Sequence, residues 1–136
     1  MVALASAKSA LEGQGSGSAA TEHPWNKLIG MHAMMEEINA RNSKIRRSVR
    51  RLRDPDEESL HPTTLAVLAV AMYADTHEVK NESDIPQWQQ HAREFQQHMT
   101  QTAAAMKKND ADGAREVWLE GVKSCSACHD KFRRDE

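Results

Sequence analysis

Leu28, Met31, Met35, Ile38, Asn42, Ile45, Val49 and Leu52 recur at alternating spacings of three and four residues, and all but Asn42 are apolar. This is the seam of one long amphipathic helix, nearly four heptads of a and d positions. A helix cannot cover its own apolar stripe, so the rest of the chain has to supply partners for it. The seam predicts a helix over 24–53. Thr21 or His23 can cap its start, Pro24 suits its first turn, and Asp54-Pro55 ends it, because the residue before a proline is driven from helical angles.

Three further amphipathic segments follow. After a polar connection through Ser59 and His61, Pro62 opens a second helix carrying Leu65, Val67, Leu68, Ala71 and Met72. Its apolar run, Leu65 to Ala74, is far shorter than the roughly 20 residues needed to cross a bilayer. Residues 81–84 read as a loop and Pro86 as the start of a third helix, with Trp88, His91 or Ala92, Phe95, Met99, Thr102 and Met106 facing inward. Asn109 to Gly113 reads as a turn whose aspartates cap a fourth helix. Ala114, Val117, Gly121, Cys125, Cys128 and Phe132 form its expected inner stripe, with Gly121 leaving room beside a flat group. No strand pattern of comparable strength and no internal repeat is present. The expected fold is all-α, an antiparallel up-down-up-down four-helix bundle in which the first and last helices are neighbours.

A length of 136 residues accommodates one domain. Residues 1–20 are small, polar and glycine-rich, without the apolar core of a secretory signal; they read as a flexible tail or the remnant of a signal or added segment, and 21–136 as the bundle domain. Hydrophobic residues make up 39% and aromatics 4%, a thin core for this length. Eighteen basic and 20 acidic residues give a formal charge of -2, which argues against a dedicated nucleic-acid binder.

Near the C-terminus stands Cys125-Ser126-Ala127-Cys128-His129. The C-x-x-C-H spacing is the attachment signature of c-type haem: two thiols on one helical face can each bond a vinyl group, and the adjoining imidazole reaches the iron as its proximal ligand. A structural zinc site needs four protein ligands, and there is no second cysteine pair. A thioredoxin-like pair wants a βαβ surrounding, and a disulfide across two residues closes almost no loop. A covalently bound porphyrin also adds a large apolar body to the thin core.

From Val122 to Arg133, the helical ending with an aromatic and an arginine after the haem histidine resembles the class II cytochromes c, the cytochrome c-prime family. The resemblance spans about residues 21–134. It implies a four-helix bundle with one covalent haem c, export to the periplasm or an equivalent compartment, redox partner proteins, and relatives that often pair as homodimers. It also implies that Arg133 pairs with a haem propionate. The family divides on the distal iron ligand, with a first-helix methionine in six-coordinate members and an apolar residue over an open, gas-binding iron in five-coordinate ones. Met35-Glu36-Glu37-Ile38-Asn39 looks like the first-helix methionine segment of the soluble b-type bundle, which makes Met35 the expected sixth ligand. Met31, one turn earlier on the seam, the adjacent Met34, and His32, off the seam by roughly 100°, are its rivals. The metal ligands are therefore expected to be His129 and Met35.

His23, His61, His77, His91 and His98 carry no ligand spacing with one another and read as surface or loop residues; His91 and His98, seven apart, could at most hold an adventitious metal. The basic run from Lys44 to Arg53 reads as a solvated helix face whose cations suit the C-terminal end of the dipole, with docking of an acidic redox partner as the alternative. No nucleophile, general base or substrate pocket is legible. The expected function is outer-sphere electron transfer without enzymatic activity or membrane insertion. The alternative is a five-coordinate haem that binds nitric oxide or carbon monoxide in a pocket of Leu28, Met31, Met35 and Ile38.

Overall fold

In a computed structural model, the described residues are 30–132. The expected tail, the caps at Thr21, His23 and Pro24, Leu28 of the seam, and Arg133 lie outside them. The described helices are α1 (Met31–Ser48), α2 (Pro55–Glu58), α3 (Leu60–Ala74), α4 (Ile85–Lys107) and α5 (Ala111–Phe132), with a 3-10 turn at Glu82–Asp84. Four of them are long, and no strand occurs among the described residues. The all-α four-helix bundle is the observed architecture.

α1 ends at Ser48, not at Arg53 as the seam predicts, because Glu58 draws the chain back into a corner. Its carboxylate accepts from the Ser48 hydroxyl at 2.7 Å and from the backbone N–H groups of Arg53 at 2.8 Å and Asp54 at 2.6 Å. Asp54 caps the extra short helix α2 by accepting from the Glu57 N–H, with Pro55 in its first turn. α3 starts at Leu60, two residues before the expected Pro62. Pro62 sits within the first turn, where its missing N–H forfeits no helical bond.

α4 buries Trp88, Ala92, Phe95, Met99, Thr102 and Met106, the inward positions its periodicity predicts. Thr102 donates to the His98 carbonyl at 2.7 Å, so its hydroxyl is satisfied in the core. The reversal into α5 passes through Asn109 at φ 57, a left-handed conformation asparagine tolerates, and Asp110 accepts from the Gly113 N–H at 2.9 Å.

α1 packs on α3, α3 on α4, and α4 on α5. The first contact is locked by Arg41, which donates to His61 Nδ1 at 3.1 Å and to Glu37 at 2.6 Å. Burial, then the charges of Arg41 and Lys44, hold the His61 imidazole below its ordinary pKa. Trp88 joins α4 to the end of α3 by donating to the Met72 carbonyl at 2.7 Å. No helix among the described residues is long and apolar enough to cross a membrane.

Candidate haem site

α5 turns two stripes toward its neighbours. One carries Gly121, Cys128 and Phe132 toward α4. A Cβ at Gly121 would lie 2.6 Å from the Met99 Cε and 3.2 Å from the His98 Cβ, and the Phe132 ring meets Trp88 edge-on with centroids 5.2 Å apart. The other carries Trp118, Val122, Cys125 and His129, spaced by four, three and four residues, which keeps them on one face. Trp118, absent from the inner stripe expected from sequence, is 4% exposed. Its indole N–H donates to Asn42 Oδ1 on α1 at 3.1 Å. The stripe that Trp118 turns to α1 runs on through the half-buried Cys125 to His129, which is exposed.

The same hydrogen bond identifies the face of α1 that meets α5. Counting back from Asn42 by seven and eleven residues gives Met35 and Met31, on one stripe with it. Because successive long helices alternate in direction, α1 and α5 are antiparallel. Seven and eleven residues past Trp118 are Cys125 and His129. Met35 thus stands level with Cys125, and Met31 level with His129. The rivals diverge: Met34 is fully buried on the α3 side of the seam, and His32 is exposed and pairs with Glu36 at 3.0 Å.

Both thiols are half-buried and unbonded to each other. Burial pushes the Cys125 thiol up to about 11, with the neighbouring Cys128 adding to it, and burial does the same to Cys128. At neutral pH the uncoupled thiols are protonated. Among the described residues no group of three or more His, Cys, Asp and Glu side chains could hold a metal by itself.

Residues 75–133, which take in the connection before α4, α4 itself and α5 with its cysteine motif, match the family model described as Cytochrome C'. Over residues 75–133 the chain is similar to the cytochrome c′ family. Neither the curated proteins nor the solved structures compared with it match the chain. That likeness supports a c-type haem protein with one covalently held haem c, and the chain has two cysteines to carry it.

The structure fits that group. A cytochrome c′ haem needs two thiols about one helical turn apart, an apolar wall left partly open, and space beside it. Met31, Met35, Val122 and Cys125 are half-buried apolar side chains packed on the edge of the core. α5 lies close to α4, whereas the backbones of α1 and α5 approach at few points and are bridged by Asn42 and Trp118. Finally, His91 Nδ1 and Nε2 and His98 Nδ1 are buried without a hydrogen-bond partner. The sequence reads both as surface residues, with His91 also offered beside Ala92 as an inward position; in the structure their ring nitrogens are shielded, at the α4–α5 contact.

The basic run lies elsewhere. Lys44, Arg46, Arg47, Arg50, Arg51 and Arg53 are exposed, and none forms an ion pair among the described residues. Arg47 is sixteen residues along α1 from Met31, about 24 Å from the haem end at 1.5 Å per residue.

Proposed function

We propose that this cytochrome c′-type protein transfers electrons by an outer-sphere route, with its haem iron held between His129 and Met35. The observation that carries this reading is the Asn42–Trp118 hydrogen bond, which sets the register of the two helices that would supply the ligands. Side chains on a helix lean toward its N-terminus. On antiparallel helices, the His129 side chain therefore leans back toward the level of Cys125, and the Met35 side chain leans toward the level of His129. The two converge from Cα levels about 6 Å apart, at 1.5 Å per residue. Met31, already level with His129, leans away from it.

When bound, the haem supplies the one-electron couple. The chain supplies a thioether, which favours the ferrous state, and an imidazole; two strong axial ligands keep the geometry nearly constant between oxidation states. Met31, Val122 and the buried Ile38 would exclude water from that side. The reading includes export to the periplasm or an equivalent compartment, small redox proteins as partners, pairing of two bundles as a homodimer, and no catalysis. Partners dock at the haem end, since the basic run lies at the opposite end of α1.

A second reading rests on the same apolar wall. If the Met35 sulfur lines the site without bonding, Met31, Met35 and Ile38 bound an apolar pocket over a five-coordinate iron, which suits nitric oxide or carbon monoxide. Titrating the ferrous protein with carbon monoxide separates the two. The carrier's spectrum stays unchanged over minutes, whereas prompt conversion to a carbonyl complex establishes gas binding.

A further inference from the structure

Two contacts set the register of α4 against α5. Gly121 packs against His98, and Phe132 against Trp88. Seven residues from His98 toward the start of α4 is His91; seven from Gly121 toward the end of α5 is Cys128. Two helical turns, about 10.5 Å, thus separate each pair on antiparallel helices, so His91 comes opposite Cys128. Its ring also meets Phe132 edge-on, with centroids 6.4 Å apart.

Both ring nitrogens of His91 are shielded from solvent and have no partner among the described residues. Leaving a buried imidazole without a partner is unfavourable. The side chains around it offer no remedy. Ala92, Phe95 and Phe132 carry no polar atom, and the Trp88 N–H is committed to Met72. A haem carried by Cys128 would bring acceptors to this side of α5, since its edge bears two carboxylates and the thioether sulfurs.

We propose that His91 donates a ring N–H to an acceptor on the edge of the bound haem and so acts as a haem-positioning residue on α4. The role rests on haem attachment at Cys125 and Cys128 and is independent of Met35; a five-coordinate iron leaves it unchanged. His98, whose Nδ1 is also unpartnered, lies two turns from His91 on the same side of α4 and extends a polar line beside the macrocycle.

The test compares haem-loaded wild-type protein with His91→Leu and His91→Gln by resonance Raman spectroscopy and redox titration. His91→Leu is expected to move either the haem carboxylate bending mode or the thioether C–S mode and to shift the reduction potential, while the axial-ligand bands stay in place. A moved carboxylate mode identifies a carboxylate as acceptor; a moved C–S mode identifies the Cys128 sulfur. His91→Gln, which keeps an N–H donor, is expected to retain most of the wild-type values. Unchanged modes and potential in His91→Leu would overturn the proposal. Should His91→Leu fail to fold, nitrogen-15 NMR of the wild-type ferrous protein decides: an exchange-protected His91 ring N–H is expected, and its absence contradicts the hydrogen bond.

Discussion

Asn42 and Trp118, 76 residues apart in sequence, are joined by a 3.1 Å hydrogen bond that ties α1 to α5 two turns from Cys125. It is a strut between two helices whose backbones otherwise keep their distance. Removing its acceptor leaves a buried indole N–H unsatisfied, at about 1–3 kcal/mol. Asn42→Leu is therefore expected to lower the Tm by several degrees and to weaken the iron–sulfur band of the haem-loaded protein. A Tm lowered with the band intact would show that the strut stabilises the fold without setting the ligand register.

Gly121 lies where α4 and α5 approach closely. Gly121→Ala gains up to about 1 kcal/mol of helix propensity. Its Cβ would meet the Met99 methyl, which can swing away, and the His98 Cβ, which the helix holds in place. Overpacking of this kind costs about 1–3 kcal/mol, so the variant should be net destabilised. Thermal unfolding of the haem-loaded protein checks the sign.

Glu58 makes the corner after α1 sensitive to acid. Burial pushes its pKa up, but hydrogen bonds from the Asp54 N–H, the Ser48 hydroxyl and the Arg53 N–H outweigh that and hold it below the ordinary 4.5. A carboxylate depressed in the folded state contributes stability that is present above 4.5 and lost as the pH falls through the lower folded value. Glu58→Gln should be less stable than wild type at neutral pH, with the difference closing in acid. Chemical denaturation between about pH 3 and 7 measures it, and a gap constant with pH contradicts the assignment.

Much of this was legible in the sequence, for physical reasons that can be named. The inward face of α4 followed from the 3.6-residue period, and the haem from a motif whose spacing is set by its own chemistry. What periodicity does not carry is where tertiary hydrogen bonds override it. Glu58 stops α1 at Ser48 although the apolar seam runs on through Leu52, which remains half-buried past the helix end. Trp118 falls outside the stripe expected for α5, and only its hydrogen bond to Asn42 shows why it is buried. Periodicity offers His91 only as an alternative to Ala92 on the inward face and His98 not at all, because what distinguishes them is the lack of a partner in a packed interface.

The two cysteines should contribute separately to haem retention. Cys125→Ala or Cys128→Ala leaves one thioether link and a haem that still resists acid–acetone extraction; the double variant should release it entirely. Mass spectrometry of the extracted chain reads the outcome, and retention by the double variant would contradict attachment at these residues.

The central claim is that Met35 binds the iron opposite His129. The most direct measurement is the ferric optical spectrum in the far red, where iron–thioether ligation gives a weak charge-transfer band, recorded for wild type, Met35→Ala and Met31→Ala. The account predicts a band in wild type and in Met31→Ala that disappears in Met35→Ala. A band that survives in Met35→Ala, or a high-spin wild-type spectrum without one, would contradict it.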